Sequence, residues 1–325
     1  MPRGLWTTTV GSFPKPPALE RARAQRARGE ITADALEALE REETARLIRA
    51  QEEIGLEVLV DGELYRGDMT TFFAERMDGF VISNPVRSYG NRYYRKPIAV
   101  GPIRRTKPLT VDWWRFAQSL TSKPVKGMLT GPYTMMDWSF NEHYRSREAM
   151  AMDLAEAVRE EALALEAAGA RFIQVDEPAV SVRPEELPLA VRALGRAVEG
   201  IRAKTITHIC YGNFDVIYPA LLDLPVDMID LEMANSRYDL LDRFREHPFT
   251  KEIGLGVLDV HSHRVESKEE VKQGLRRALA VLRPEQIYVD PDCGLKTRTV
   301  EEARAKLEVM VAAVREVRAE QGIDP

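Results

Sequence analysis

Ala-Gly-Ala-Arg-Phe-Ile-Gln-Val-Asp-Glu-Pro-Ala, residues 168–179, decides how this 325-residue chain is read. The run 172–176 is short, apolar and closed by an acid, and the stretch before it, 148–168, is an unbroken helix-forming pattern. Gly169 stands at the helix C-terminus, where a residue with positive φ is needed and glycine carries no Cβ penalty. After Asp176-Glu177-Pro178 a second helical pattern covers 184–202, and another strand-like run follows at 204–208. Helix, strand, helix, strand in this order implies parallel strands joined by crossover helices.

The same unit recurs outward in both directions. Strand-like runs occupy 7–11, 57–61, 125–129, 172–176, 204–208, 227–231, 254–258 and 286–290, with further helical patterns at 33–53, 268–282 and 301–321. Eight such runs in about 300 residues point to an α/β fold of the closed (β/α)8 TIM-barrel type rather than a doubly wound sheet. The piece 64–123 is too long for one βα loop. It holds 80–83 and 93–100, punctuated by Asn-Pro and Tyr-Gly-Asn, and reads as a hairpin flap inserted after the second strand. Residues 19–53 are rich in helix formers and charge and read as a solvated helical pair. No repeat, low-complexity linker or composition break divides the chain, so residues 1–325 are expected to form one catalytic domain.

A hydrophobic content of 44% is ample for a core, and a net charge of −5 with both signs interspersed argues against nucleic acid or an anionic membrane as partner. No apolar run approaches the roughly 20 residues of a membrane span, and Met-Pro-Arg-Gly-Leu-Trp at the start lacks the apolar stretch of a signal peptide. A cytoplasmic location is expected. There the two cysteines serve as thiols, ligands or core residues rather than as a disulfide.

In a barrel of this kind the chemistry gathers at the C-terminal strand ends. Ser12 follows the first run, Asp61 and Glu63 the second, Thr130-Gly131-Pro132 the third, and Asp137 and Trp138 lie a little beyond. Then come Asp176 and Glu177, His208 with Cys210, Glu232, Asp259 with His261, and Asp290 with Asp292 and Cys293. One such carboxylate alone is ordinary loop polarity, but two cysteines, two histidines and several acids at successive strand ends are not.

His208 and Cys210 alternate, so in extended chain they project to one side, and Glu232 and Cys293 follow later runs of the same kind. One imidazole, two thiolates and one carboxylate suit Zn2+, whose borderline softness accepts nitrogen, sulfur and oxygen together. Four filled positions usually mean a structural site, so a catalytic one must exchange or add a ligand. Glu232, a hard oxygen donor beside two soft sulfurs, is the ligand expected to yield to an incoming thiol. Activation of a substrate thiol is the natural use of such a site. His261, with Asp259 two residues back, is a His-carboxylate pair suited to general acid work. Trp138 suits stacking on a planar ligand or simple core packing. No Walker or dinucleotide fingerprint is present.

These residues resemble the cobalamin-independent methionine synthases. The matching segments are Thr-Thr-Thr-Val-Gly-Ser-Phe-Pro (7–14), Asp-Gly-Glu (61–63), Ser-Tyr-Gly-Asn-Arg (88–92), Leu-Thr-Gly-Pro-Tyr-Thr with Trp-Ser-Phe (129–140), Gln-Val-Asp-Glu-Pro-Ala (174–179), His-Ile-Cys-Tyr-Gly-Asn-Phe (208–214), Gly-Val-Leu-Asp-Val-His-Ser (256–262) and Pro-Asp-Cys-Gly-Leu-Lys-Thr-Arg (291–298). The resemblance implies a uroporphyrinogen-decarboxylase-like barrel that binds zinc and moves a methyl group to the sulfur of homocysteine. Zinc ligands then fall on His208, Cys210, Glu232 and Cys293, homocysteine contacts on Val10, Gly11, Ser12, Glu63 and Asp176, and the proton donor on His261. Methyl-donor contacts fall on Arg92, Tyr93 and Trp138, with Tyr93 where many members have cysteine and Val182 where a second acid is expected. Familiar members are about twice as long, and this chain corresponds to their catalytic half. The donor is accordingly either methyltetrahydrofolate or methylcobalamin or a corrinoid protein. The alternatives are a zinc alkyltransferase for another thiol, such as coenzyme M, and a non-catalytic zinc-stabilised binding protein.

Overall fold

The computed structural model describes residues 4–87, 93–210, 212 and 214–323. Its strands, in chain order, are β1 (Trp6–Thr7), β2 (Asp78–Arg87), β3 (Tyr93–Arg104), β4 (Gly127–Thr130), β5 (Phe140–Asn141), β6 (Phe172–Asp176), β7 (Lys204–Ile209), β8 (Met228–Leu231), β9 (Glu252–Gly256) and β10 (Ile287–Asp290). Apart from the inserted β2, β3 and β5, strands and helices alternate as in a (β/α)8 TIM barrel. No helix among the described residues is long and apolar enough to cross a membrane. Two compact units are distinguished, one of Met1–Tyr65, Trp113–Lys126 and Ile229–Pro325, the other of Arg66–Asp112 and Gly127–Met228.

In the first unit β1 pairs parallel with β10, and β10 with β9, in register from Ile287 opposite Ile253 to Asp290 opposite Gly256. The expected strand at 57–61 is not laddered as a strand: Glu57 and Val58 bend, and a single bridge joins Leu59 to Val125. Both its sides are nonetheless stitched. The N–H groups of Glu57 and Val58 donate to Thr7 O at 3.0 and 3.1 Å, and those of Leu59 and Lys126 donate to Pro124 O and Leu59 O at 2.8 and 2.9 Å. The pairing stops there because a buried helix side chain takes the next backbone groups. Gln51 Oε1 accepts the Val60 N–H at 3.1 Å, and Gln51 Nε2 donates to Val60 O at 2.8 Å. Gln51 belongs to the helix Ala33–Ile54, which Thr32 caps at its start and Gly55 ends at φ 98°. With Pro17–Ala27 this helix forms the expected pair, though its Thr44, Ile48, Gln51 and Ile54 are buried rather than solvated. The last helix, Val300–Gln321, is fastened to β1 by Arg318, which donates to Gly4 O, Leu5 O and the Glu57 carboxylate.

In the second unit β4 pairs parallel with β6, Gly127 opposite Ile173 to Thr130 opposite Asp176, and β6 with β7. Four of the five residues of β6 are buried. That explains why its sequence is an apolar run and not an alternation: a parallel strand covered on both faces has no solvent side. The inserted flap is the antiparallel pair β2–β3, with Phe140 of β5 added parallel to β3 beside Ile98. Asn84-Pro85, expected as a turn, lies inside β2 where the register shifts between Ile82 and Pro85. Proline has no N–H to give to a ladder, and a bulge is where a strand tolerates that loss. The helix Arg147–Ala168 carries Glu161, whose buried carboxylate accepts the N–H groups of Leu109 at 3.1 Å, Thr110 at 2.6 Å and Val111 at 3.0 Å.

Candidate active site

The residues expected to hold an amino acid lie on segments tied backbone to backbone. Phe13 N–H donates to Gly62 O at 3.0 Å, and Leu295 N–H donates to Ser12 O at 2.7 Å. Ser12 is therefore fixed on one side by the turn that carries Glu63 and on the other by the turn after Cys293. Gly62 and Glu63 have φ of 76° and 55°, a pair of left-handed residues that turns the chain sharply past Asp61. The Asp61 carboxylate braces that turn, accepting the Glu63 N–H at 2.9 Å and the Tyr65 hydroxyl at 2.7 Å. Val10 and Gly11 are buried just before Ser12. In the second unit Asp176 ends β6, buried, with Gln174 Nε2 donating to its Oδ1 at 2.8 Å.

His208 and Cys210 lie at the end of β7 in the second unit, and Cys293 follows β10 in the first. Neither cysteine is in a disulfide, and Cys210 is buried and Cys293 half-buried. The donor set fits zinc. Zn–N near 2.0 Å and Zn–S near 2.3 Å put tetrahedral ligand atoms roughly 3.5–3.8 Å apart. The backbone around His208 and Cys210 is pinned, since His208 O accepts the Glu177 N–H at 3.0 Å and Cys210 O accepts the Ser181 hydroxyl at 2.8 Å. Glu232 follows β8 in the first unit. Its Oε1 lies 3.2 Å from His261 Nε2. Asp259 meets His261 through the backbone, its Oδ1 accepting the His261 N–H at 2.8 Å. The carboxylate facing the imidazole is thus Glu232, because the chain turns after β9 and alternation no longer puts residues 259 and 261 on one side.

Two carboxylates that the sequence placed at strand ends, without a role, organise this region. Asp292 accepts three successive amides after Glu232, from Met233 at 3.0 Å, Ala234 at 2.9 Å and Asn235 at 2.7 Å, and so fixes the turn beyond that strand. Burial pushes its carboxyl up to about 7, against the pull of those amides. Glu177, fully buried, accepts the Tyr133 and Thr134 N–H groups at 3.0 and 2.7 Å and the Thr134 hydroxyl at 2.7 Å; burial pushes it up to about 7 as well. A Cβ on Gly256 would lie 2.2 Å from Asp292 Oδ1 and 2.8 Å from Asp292 Cα. Gly256→Ala is therefore expected to push Asp292 off its amides and cost roughly 2–4 kcal/mol by overpacking and lost hydrogen bonds, read as a lowered denaturant midpoint.

On the donor side Arg92 lies outside the described residues, and Tyr93 opens β3. Trp138, half-buried, follows the short helix Pro132–Asp137. That helix is held at both ends, by Glu177 at its start and by Arg147, which donates to Asp137 Oδ1 at 2.7 Å and to Glu186 at 2.6 Å. Tyr133 donates to the same Glu186 at 2.6 Å, and its hydroxyl is pushed above the usual tyrosine range by burial and then by Glu186. Val182 is 59% exposed.

A sequence profile of the family described as "Cobalamin-independent synthase, Catalytic domain" matches residues 5–316. The chain is 45% identical over 329 residues to a 5-methyltetrahydropteroyltriglutamate–homocysteine methyltransferase of Xylella fastidiosa (strain M23), covering 97% of this chain and 43% of that protein. It is 44% identical over 325 residues to the protein of the same name from Chelativorans sp. (strain BNC1), covering 96% and 42%. It thus spans about two fifths of the length of these curated relatives. Among solved structures it is similar to a B12-independent methionine synthase from Shewanella sp. W3-18-1 in complex with selenomethionine, with a TM-score of 0.85, 30% identity, and coverage of 98% of this chain and 99% of that one. The chain belongs to the cobalamin-independent synthase family and carries its catalytic domain.

Proposed function

We propose that residues 1–325, acting as one catalytic domain, form a zinc-dependent homocysteine S-methyltransferase that makes methionine, with a cytoplasmic location. The observation that carries this reading is the match of the family's catalytic-domain profile over residues 5–316, which include one imidazole and two thiols, His208, Cys210 and Cys293, of the donor chemistry zinc takes. Supporting it are the names of the curated relatives and the selenomethionine, a selenium analogue of methionine, bound to the Shewanella protein. Glu232 is proposed as the fourth ligand, the one exchanged for the substrate.

When bound, zinc supplies a thiolate at neutral pH from a thiol whose ordinary pKa is about 8.5. The chain's own residues do the rest. Glu63 and Asp176 take the substrate ammonium, and the Ser12 hydroxyl with the backbone of Val10 and Gly11 takes its carboxylate. The homocysteine sulfur attacks the donor methyl in line, forming S–CH3 as the bond from methyl to the donor nitrogen breaks. That nitrogen takes a proton, which His261 holds ready. Asp259 fixes the backbone of His261 and Glu232 faces its ring. Arg92, Tyr93 and Trp138 hold the donor. The relatives' name favours 5-methyltetrahydropteroyltriglutamate as that donor. The alternative donor is methylcobalamin or a corrinoid protein.

Purified zinc-loaded protein with homocysteine should be offered methyltetrahydropteroyltriglutamate, methyltetrahydrofolate and methylcobalamin in parallel, with methionine measured. Methionine from the triglutamate is expected. Formation from methylcobalamin alone transfers the donor assignment to the corrinoid, and none from any donor overturns the function.

A further inference from the structure

We infer that the buried ion pair Lys306–Glu266 is a positioning clamp for His261, closing both ends of the loop that carries it. The inference rests on the reading of His261 as proton donor. Lys306 lies on the final helix, on the apolar stripe of Ala303, Leu307, Met310 and Val314, and its side chain is 0% exposed. Its ammonium donates to Glu266 Oε1 and Oε2 at 3.0 and 2.8 Å, to Asp259 O at 3.0 Å and to Arg264 O at 2.5 Å. Glu266, 7% exposed, also accepts the Asp259 N–H at 3.0 Å. Asp259 is therefore held at both its N–H and its C=O, and Arg264 at its C=O. Between these points the only excursion of the chain is 260–263, which carries His261.

A lysine at a core position is costly unless every proton and every facing lone pair is used, and here the partners are two loop carbonyls and one carboxylate. General stabilisation would be met more simply by an apolar residue at 306, since replacing a buried pair by packed apolar side chains is often neutral or favourable. What an apolar residue cannot do is fix two carbonyls and an amide of one loop at once. The clamp thereby sets how far the His261 ring stands from Glu232, the 3.2 Å contact at the edge of the proposed site. Proton transfer to a leaving group depends on such placement, and a misplacement near 1 Å costs on the order of 100-fold in rate.

The test uses the full chain, zinc-loaded, as wild type, as Lys306→Met, and as Lys306→Met with Glu266→Met. The single variant leaves a buried carboxylate unpaired, so a fall in its stability decides little. The double variant keeps volume without charge and is the decisive protein. Two readouts apply to it: hydrogen exchange of the amides 259–266, and kcat with homocysteine and methyltetrahydropteroyltriglutamate beside KM for homocysteine and zinc content. The expected result is exchange at least tenfold faster in 259–266 and kcat down at least tenfold, with thermal midpoint, zinc content and KM for homocysteine near wild type. Wild-type exchange and wild-type kcat in the double variant overturn the clamp. So does a rise in KM with a fall in kcat and a general loss of protection, which marks a structural role. A wild-type chain that forms no methionine sinks the functional reading instead, and unchanged exchange in the double variant then sinks the clamp separately.

Discussion

Cys210→Ser is expected to bind zinc more than about 100-fold more weakly than the wild type and to form methionine at background rate. Loss of a residue that only orients a ligand typically costs 10–100-fold in metal affinity, and Cys210 is itself a proposed ligand. Serine keeps the shape of the side chain but not its chemistry. Its hydroxyl stays protonated at neutral pH and is a hard donor, whereas the zinc-binding form of cysteine is a soft thiolate. Because Cys210 is buried and its carbonyl is held by Ser181, the replacement should leave the local backbone in place. Metal analysis after dialysis against a mild chelator, with circular dichroism for fold, reads the effect. Unchanged zinc content and turnover would remove Cys210 from the site.

Glu161→Ala is expected to cost roughly 3–5 kcal/mol of stability, a fall of roughly 4–7 °C in thermal midpoint for a chain of this size. The Glu161 side chain is 0% exposed and serves five donors: three successive amides from Leu109 to Val111, the Thr110 hydroxyl at 3.0 Å and Arg105 Nε at 2.6 Å. Alanine leaves all of them without that acceptor, inside the protein, and strands the Arg105 charge beside them. Each unsatisfied buried donor costs about 1–3 kcal/mol, partly relieved where the segment can shift toward water. Glu161→Gln keeps an acceptor and the volume, so it should lose less than half as much. Equal losses for the two variants would mean that packing, not acceptance of these amides, is what Glu161 provides.

The sequence made the barrel legible because its parallel strands are buried on both faces and so stand out as short apolar runs between helices, as at 172–176 with its helix 147–168 on one side. The run at 57–61 was legible as a barrel position but not as ending its pairing at Leu59, because the group that takes over at Val60 is a side-chain amide, Gln51, nine residues earlier. A strand pattern carries no trace of such a partner. His208, Cys210 and Cys293 could be named in advance since thiols and imidazoles at strand ends are rare and chemically specific. The pairing of Asp259 with the His261 ring was not legible, because it assumed extended chain where the backbone has already turned and the aspartate takes the backbone N–H. Lys306 left one sign, a lysine on an otherwise apolar helix stripe. Its partner, forty residues earlier, is found only by folding.

Zinc-edge X-ray absorption of the metal-loaded protein, before and after homocysteine, tests most directly whether this site takes a thiol as its nucleophile. With Cys210 and Cys293 as the sulfur ligands at rest, the account predicts two Zn–S distances near 2.3 Å rising to three as the substrate sulfur arrives, with an oxygen scatterer lost as Glu232 withdraws. A spectrum that keeps two sulfurs and does not change at saturating homocysteine would contradict it, and would leave the zinc a structural ion.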